Sequence, residues 1–538
     1  MNLMDDLATV AEDSARGGFF LISGTAISTV ILAISAILIG NVLGEKLYGQ
    51  YTLALVVPQL LYLFADFGIN QGIIRFTSSL RVKGEKYRLK KIVKYGLMLK
   101  TITGIIIFAV NFALSDWFAS QILQRPDLAF QVRLASTGIL FQVIFITATS
   151  AFVGLDRAEY NAVSTNIQSI SKTIIQIALI LLGLGVTGAV IGHVASFAVG
   201  AAVGLSILFV ILRGKEETNG DHEIGKVLKT LVRYGAPLYV SLLLVGFIPV
   251  YQNIILAIFT TDADIGNFKA AQNFAMLLTV IAVPITTALL PAFSKLDSST
   301  IQEIKAFFKL SNKYTTMLIV PLTILLIIYS TAIIQIIYPG KFASAPLFLA
   351  TYCLLYFLVG LGYLTLTSFY NGLGETRISM IIGLITFMLL AILSPVLTSA
   401  YGVLGLIVAF LIGSAAGTIY GSYTARRQFH IEFDVASLAK TYLVSIVSAF
   451  PSVLMLRLVP SPFVNLVAGG FLYLLIYATL VPLAKVVSVH ELQMAEAITQ
   501  KIRLLNFIAR PIFQYEQKLL KFKQEPRANR SLRSIGEK

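Results

Sequence analysis

The segment YTLALVVPQLLYLFADFGINQGIIRF, residues 51–76, begins as a largely apolar run and ends with a carboxylate, two amides and an arginine. An α-helix needs about 20 predominantly apolar residues to cross the hydrocarbon of a bilayer, and the first part of this segment supplies them. The polar cluster that follows either belongs to a transport path or marks the place where the helix leaves the membrane. Runs of this kind recur along nearly the whole chain, so this pattern decides the class of fold.

Composition leads to the same class. Of 538 residues, 57% are hydrophobic and 13% are charged, and the mean hydropathy is +0.81. A soluble domain carries about a quarter charged residues and could not hide this much apolar surface from water. The sequence therefore predicts an all-α membrane protein with about fourteen transmembrane helices. Their predicted ranges are 17–40, 49–69, 95–114, 134–153, 167–185, 188–211, 235–258, 270–290, 314–337, 345–366, 378–397, 401–424, 439–459 and 466–485.

The distribution of Lys and Arg over the loops predicts the orientation. The loop after span 2, residues 75–94, holds eight basic residues and one acidic residue. Most other basic loop residues fall on the same side of the membrane. The opposite loops hold five, which are Lys46, Arg125, Arg133, Lys269 and Lys341. This imbalance predicts a multi-pass protein of the cell membrane with both termini in the cytoplasm.

The net charge of +15 follows from the same topogenic loops and from a basic tail. Because these residues are scattered over loops on one membrane face, they do not form a nucleic-acid surface, and no nucleic-acid partner is expected. The tail, residues 486–538, has apolar residues near helical spacing, such as Leu492, Ile498 and Leu505. It reads either as a helix lying on membrane lipids or as a partly disordered, solvated tail.

Internal repetition organises the spans into two halves. YGQYTLA at 48–54 is echoed by IGNFKAA at 265–271, and GVTGAVIG at 185–192 is echoed by GVLGLIVA at 402–409. The glycine pairs in register are Gly49 with Gly266, Gly154 with Gly372, Gly185 with Gly402 and Gly188 with Gly405, at offsets of 217 or 218 residues. Six spans separate the copies, so the halves are parallel.

The predicted organisation is two parallel six-helix bundles plus two extra C-terminal helices. The N-terminal bundle covers 1–212, a cytoplasmic linker covers 213–234, and the C-terminal bundle covers 235–424. Spans 13 and 14 lie within 425–485, and a basic cytoplasmic tail covers 486–538. Two packed bundles around a central cleft suit transport by alternating access.

The chain resembles a polysaccharide-biosynthesis flippase of the Wzx type. That family belongs to the multidrug/oligosaccharidyl-lipid/polysaccharide (MOP) exporter superfamily, which also holds the multidrug antiporters (MATE) and the lipid II flippases. The similar residues run through GGFFLISGTAIS, NVLGEKLYGQYTLAL, DFGINQGIIRF, GLDRAEYN, GLGVTGAVIG, NGLGETR and YGVLGLIVA, between about residues 20 and 425. No single one of these motifs is specific for the family, but their order and spacing together are specific for it.

The resemblance implies that a polyprenyl-linked glycan moves from the cytoplasmic to the outer leaflet, with its sugar–phosphate head inside the protein. It also implies a lipid-tail groove at spans 13 and 14, and glycosyltransferases or a polymerase of the same pathway as partners. A cation-coupled antiporter of the MATE type is the alternative, and its chemistry calls for a buried carboxylate that span 1 lacks. A lipid II flippase would be expected to have several arginines inside the first bundle, and the cores of spans 1–6 contain none.

Charged residues within the spans are few, and some of them are candidates for the substrate path. Asp66 is the only carboxylate in a predicted span, and Asn70 lies one helical turn beyond it. Arg75 could pair with Asp66 only if Gly68 or Gly72 breaks the helix, because the two are about 13 Å apart along an unbroken one. Lys100 either snorkels to the cytoplasmic interface or faces the cleft and attracts a phosphate. These residues form either the rim of the path or a plain helix end.

The remaining candidates are uncharged or titrate near neutrality. His193, near the outer end of span 6, is either a satisfied polar group or a proton carrier. Gln252 and Asn253 in span 7, with Gln272 and Asn273 opening span 8, either line a sugar path or bridge helices. The sequence has no glycine-rich nucleotide loop and no metal-ligand cluster, so no enzymatic activity, cofactor or metal is expected.

Overall fold

The computed structural model of the protein describes residues 3–213, 224–295 and 301–487. Regular structure in these ranges is helical throughout, and eight of the helices are long and apolar enough to span a membrane. This confirms the all-α membrane class. Their outward faces carry large apolar side chains such as Ile174, Leu182 and Phe209, exposed by 62%, 76% and 69%. Lipid is the solvent that tolerates such faces.

The helices follow one another with short connections. They are α1 (Leu3–Leu63), α2 (Ile69–Val82), α3 (Lys86–Trp117), α4 (Ala129–Gly154), α5 (Ala158–Leu179), α6 (Gly185–Leu212), α7 (Ile224–Phe259), α8 (Asp262–Lys295), α9 (Ile301–Ile328), α10 (Ser330–Ile337), α11 (Ala345–Cys353), α12 (Leu366–Gly372), α13 (Thr376–Phe429), α14 (Val435–Leu458), α15 (Pro462–Val464) and α16 (Gly470–Leu483). Tighter or wider helical turns occupy Phe118–Ile122, Pro126–Leu128, Ile180–Leu184, Leu354–Leu361 and Asn465–Gly469.

Two of the longest helices each contain two predicted spans joined at a glycine. Gly44 interrupts α1 with a φ of 73°, and Gly402 interrupts α13 with a φ of 58°. A positive φ is strained for any residue with a Cβ, so glycine allows the chain to bend back there without a loop. Between α5 and α6, Gly183 and Gly185 do the same with φ values of 87° and 50°.

Each of the fourteen predicted ranges overlaps helical parts of the described chain, but the number of crossings stays a prediction. Length and composition identify eight spanning helices, or nine if Ala345–Leu361 and Leu366–Gly372 form one bent span. The predicted linker at 213–234 is only partly described, and α7 begins inside it at Ile224. The predicted amphipathic tail lies outside the described residues beyond Val487.

Contacts divide the described chain into two compact units. The first falls within Met1–Val280, Gly340–Phe348 and Met380–Gly413, and the second within Ile281–Pro339, Leu349–Ser379 and Ser414–Lys538. In the first unit, α4, α5 and α6 pack against one another and against α1. In the second, α14 packs against α9 and α16. The two-bundle division and the lipid-tail groove at spans 13 and 14 stay predictions.

The predicted repeat has a counterpart in backbone geometry. α4 ends in a turn at Leu155, whose φ and ψ are −81° and −2°, and α12 ends at Leu373 with the same two angles. The next residue has a positive φ in both copies, 57° at Asp156 and 82° at Gly374. The matched turns therefore support the register that the glycine pairs predict.

A second pair of matched sites shows why glycine is needed. A Cβ at Gly188 would lie 3.0 Å from the backbone of Leu179, and one at Gly405 would lie 1.9 Å from the carbonyl oxygen of Leu397. Both glycines therefore let the returning helix touch the backbone of the one before it. The paired Gly185 and Gly402 also share their unusual conformation, with ψ values of −128° and −138°.

We expect Gly405→Ala to destabilise the fold, because its methyl group would overlap a backbone oxygen that cannot move aside. Overpacking of this kind costs about 1–3 kcal/mol. Gly383→Ala, also within α13, is the matched control, since a Cβ there meets nothing within 4 Å. Heating the purified protein in detergent and measuring the folded fraction should give a lower apparent Tm for Gly405→Ala only. Equal Tm values for the two variants would contradict the close approach.

Candidate functional site

The polar cluster at the end of span 2 surrounds a true helix break. α1 ends at Leu63, earlier than the predicted end at residue 69, and α2 begins at Ile69. Between them, Phe67 and Gly68 take positive φ values of 46° and 72°. Of the two glycines at which the sequence allows a break, Gly68 is the one that lies at it. It leaves the carbonyl of Ala65 outside the helical hydrogen-bond ladder, where it needs other donors.

Lys100 supplies one of those donors. Its side chain on α3 is fully buried, and its Nζ lies 2.9 Å from Asp66 Oδ1 and 3.1 Å from the carbonyl oxygen of Ala65. Thr103 Oγ1 donates to the same carbonyl at 3.1 Å. The snorkelling alternative for Lys100 is therefore wrong, because the ammonium group points inward onto the helix break. A buried ion pair with added hydrogen bonds is the arrangement that a membrane interior tolerates.

The neighbours of Asp66 divide into two groups. Asn70 is buried beside it, donates its backbone N–H to Asp66 Oδ1 at 3.4 Å, and accepts a 3.3 Å hydrogen bond from Thr147 Oγ1. Arg75 lies on the exposed face of α2. The break at Gly68 thus brings Asp66 to Lys100, not to Arg75, and the pairing considered from the sequence is not the one formed.

A separate cavity lies within the first unit. Its volume is about 370 Å³, and residues of α1, α5, α6, α7 and α8 form its wall. These residues are Thr29, Leu32, Ala33, Ser35, Ala36, Ile39, Tyr48, Tyr51, Thr52, Leu55, Gln59, Lys172, His193, Asn253, Lys269, Asn273, Met276 and Leu277. The cavity is large enough to enclose a small polar group and lies beside the Gly44 bend of α1.

The charge of the wall is positive. Lys172 from α5 and Lys269 from α8 both face the cavity, and no Asp or Glu is among the described residues that line it. Two ammonium groups around one space repel each other, and an anion between them relieves that repulsion. Sequence reasoning missed both lysines as site residues. Lys172 is not among the predicted candidates, and Lys269 is one of the five basic residues assigned to the outer loops.

Asn273, Tyr48 and Tyr51 add an amide and two aromatic hydroxyls to the wall. Asn273 Nδ2 donates to Tyr48 Oη at 2.9 Å, and Gln176 Nε2 donates to Tyr51 Oη at 2.8 Å. The rings of Tyr48 and Tyr51 stack with centroids 6.3 Å apart. Tyrosine rings offer an apolar face and a polar edge, which suits the mixed surface of a sugar.

His193 also lines the cavity, and its environment bears on the two alternatives left open by the sequence. Its Nδ1 is buried without a hydrogen-bond partner among the described residues. The ring packs edge-on against Phe197, with centroids 5.2 Å apart. A neutral imidazole has one nitrogen free to accept a hydrogen bond. Both alternatives for His193, a satisfied polar group and a proton carrier, therefore stay predictions.

The nine predicted candidates therefore separate into three groups. His193, Asn253 and Asn273 line the cavity. Asp66, Asn70 and Lys100 form the buried cluster at the helix break, with Arg75 exposed nearby. Gln252 is buried and Gln272 is half-buried, and neither belongs to the cavity wall. Asn253 keeps one donor within its own helix, bonding the carbonyl of Pro249 at 2.9 Å.

The wall as a whole suits an anionic, hydroxyl-rich ligand. Two lysines can neutralise acidic oxygens, and charge-assisted hydrogen bonds of this type are about twice as strong as neutral ones. The amides and His193 can exchange hydrogen bonds with hydroxyl groups. A cationic ligand would meet only repulsion from the charged residues of this wall.

Comparison with known proteins places these features in context. The model of a family described as polysaccharide biosynthesis protein matches residues 14–297. Lipid II flippase MurJ of Bacillus subtilis (strain 168) is 22% identical over 481 residues, covering 81% of this chain and 86% of that protein.

Two solved structures show a similar fold. Lipid II flippase MurJ in an inward closed conformation superposes with a TM-score of 0.71 at 17% identity, covering 85% of this chain and 97% of that one. An inward-facing multidrug resistance MATE family transporter of the MOP superfamily gives a TM-score of 0.59 at 16% identity. The match covers 75% of this chain and 98% of that one. Both likenesses concern the fold alone.

We expect the buried pair at the helix break to behave as one unit in stability. Asp66→Asn or Lys100→Met alone leaves one member of the pair without its partner, and losses of about 3–5 kcal/mol are usual when a buried pair is broken this way. The double variant removes both charges and should lose less stability than the two single variants added together. Thermal unfolding of the four proteins in detergent measures this coupling. Additive losses would mean that the two side chains act independently.

Proposed function

We propose, from the premise that the chain belongs to the polysaccharide biosynthesis protein family, that it is a flippase for a lipid-linked oligosaccharide. A polyprenyl-linked glycan crosses from the cytoplasmic to the outer leaflet by alternating access. Its sugar–phosphate head passes through the protein while its tail stays in lipid. The match over residues 14–297 and the flippase relative support the MOP-superfamily membership that the sequence predicts.

The observation that carries the proposal is the charge of the cavity. Lys172 and Lys269 face a space walled otherwise by tyrosines, amides, hydroxyls and apolar side chains. Ionisable groups inside a membrane protein are costly unless they face a polar path, and they often mark one. The phosphate groups of a lipid-linked sugar carry the opposite charge, and the sugar offers hydroxyls to Asn253, Asn273 and His193.

Cation-coupled antiport is the second candidate, because a MATE family transporter shares the fold. Antiport of a cation requires a carboxylate that can exchange it for a proton or sodium ion. The predicted candidate, Asp66, is paired with Lys100 at the helix break and is not part of the cavity wall. The described wall therefore favours the flippase over the antiporter.

The location and partners follow from the proposed reaction. We place the chain in the cell membrane with both termini in the cytoplasm, on the evidence of its basic loops. Glycosyltransferases that assemble the glycan on its lipid supply the substrate, and a polymerase or transferase on the outer side consumes it. The reaction transfers no group between molecules, so the proposal needs no cofactor and assigns no enzymatic role.

We expect Lys172→Met and Lys269→Met each to slow transport of a fluorescent polyprenyl-diphosphate-linked sugar in proteoliposomes by about tenfold or more. The loss of one hydrogen bond to a charged group is worth about 1.5–3 kcal/mol, which corresponds to that range. Lys46→Met is the matched control, because Lys46 is exposed at the same predicted membrane side and does not line the cavity.

The same vesicles should be tested with lipid II and with a cationic dye. Transport of a lipid-linked sugar without dye efflux supports the flippase, and preference between the two lipid-linked sugars assigns the glycan class. Dye efflux driven by a proton or sodium gradient, with unchanged rates in both lysine variants, would overturn the proposal.

A further inference from the structure

We propose that two equivalent sets of residues form a clasp that holds the predicted outer side of the cavity closed. The first set is Glu45, Gly49 and Arg125, and the second is Asp262, Gly266 and Phe342. Each residue of the first set is 217 positions before its counterpart in the second. We call these six residues the outer clasp. Its role as a gate rests on the proposed transport function.

The centre of the outer clasp is a reciprocal backbone contact between α1 and α8. A Cβ at Gly49 would lie 1.8 Å from the carbonyl oxygen of Asp262. In the same way, a Cβ at Gly266 would lie 1.9 Å from the carbonyl oxygen of Glu45. Since each glycine of one predicted half touches the acidic residue of the other, the contact has local twofold symmetry. No side chain fits between the two helices at this crossing.

The first arm of the clasp is ionic. Arg125, in the connection between α3 and α4, places Nε 2.7 Å from Asp262 Oδ1 and donates from Nη2 to the carbonyl of Thr260 at 2.9 Å. Gln50 Nε2 donates to the other carboxylate oxygen of Asp262 at 3.0 Å. The side chains of Arg125 and Asp262 are only 21% and 11% exposed, so water screens this pair less than an ordinary surface pair.

The second arm uses the backbone. The N–H of Phe342, in the connection between α10 and α11, donates to Glu45 Oε2 at 3.4 Å. Lys341 Nζ beside it donates to the carbonyl oxygen of Asn41. Asn267 of α8 anchors the same connection, because its Oδ1 accepts 3.0 Å hydrogen bonds from the N–H groups of Ser344 and Ala345. Each arm thus reaches from one predicted half to the other, the first to the junction of α7 and α8 and the second to the Gly44 bend of α1.

The position of the clasp gives it a conformational role. Tyr48 and Tyr51, which flank Gly49 in sequence, belong to the cavity wall, and so does Lys269, which follows Gly266 on α8. An opening toward the predicted outer side has to separate α1 from α8 at this crossing. Every contact of both arms is then lost together. The ionic arm is therefore the contact whose removal shifts the equilibrium most toward the outward-open state.

Accessibility of the cavity tests the proposal without any substrate. In the full-length protein with Cys353 replaced by alanine, Met276→Cys places a reporter thiol in the cavity wall. A membrane-impermeant maleimide added to intact cells reports how often the cavity opens outward. We expect Arg125→Gln and the nearly isosteric Asp262→Asn each to raise the labelling rate by about tenfold, because one partner of a part-buried charge pair is lost.

Two controls separate the clasp from a general effect of lost charge. Arg133→Gln removes another ion pair at the same predicted side, with Asp116, but both residues lie in the first predicted half. Glu45→Gln keeps an oxygen that can accept from Phe342. Both controls should label within about twofold of the parent, since neither removes an ionic contact between the halves.

The possible outcomes distinguish the clasp from the proposed function. A size-exclusion profile equal to that of the parent shows that a variant is folded. If Arg125→Gln is not folded, the labelling rate of Asp262→Asn alone decides the test. Faster labelling in Arg125→Gln and Asp262→Asn, with normal labelling in Arg133→Gln and Glu45→Gln, supports the clasp, even if transport assays fail to find a lipid-linked substrate. Unchanged labelling in folded Asp262→Asn overturns it, even if lipid-linked sugar transport is established.

Discussion

A charged side chain inside the hydrocarbon of a membrane needs an opposite charge or a polar space to face, because lipid cannot replace the water it has lost. The protein meets this constraint in two ways. Lys100 is fully buried against Asp66 and against the carbonyl of Ala65, which lies outside the helical hydrogen-bond ladder. The charge of Lys100 is therefore satisfied within the fold. Lys172 and Lys269 face a cavity without a carboxylate in its described wall, so their charge is available to a ligand. The same residue type thus stabilises the backbone at one site and defines a ligand preference at the other.

Features set by neighbouring residues could be predicted from the sequence, and features set by contacts through space could not. The apolar runs are local properties and are found in the structure, and the break at Gly68 is one of the two that the local sequence allows. The partner of Asp66 is not local, since Lys100 lies 34 positions away and reaches it only after α3 packs beside the break. The sequence places Lys269 just before a predicted span and so predicts a loop cation in contact with water. Its place in the cavity wall depends on how α8 approaches α1.

The internal repeat preserves backbone geometry more closely than side-chain chemistry. The matched turns at Leu155 and Leu373 have identical φ and ψ angles although the following residues, Asp156 and Gly374, differ in type. In the outer clasp, Arg125 and Phe342 occupy equivalent positions, but one contributes a guanidinium group and the other a backbone N–H. Twofold backbone contacts can therefore coexist with arms of unequal strength. The constant sequence offset predicts the twofold backbone contact. Only the side-chain contacts show that the two arms differ in strength.

In the proposed transport cycle, the cavity and the clasp are coupled through charge. Closing the helices around Lys172 and Lys269 brings two cations together, which opposes closure when the space between them holds no anion. The clasp offsets that repulsion with contacts that exist only while α1 and α8 touch. An anionic head group removes the repulsion and so adds its binding energy to the closed state, whereas a cation would increase it. A ligand shifts a conformational equilibrium only by its difference in affinity for the two states. The placement of these two lysines therefore makes the negative charge of the substrate, more than the shape of its sugars, the property that the cavity can use to drive the conformational cycle.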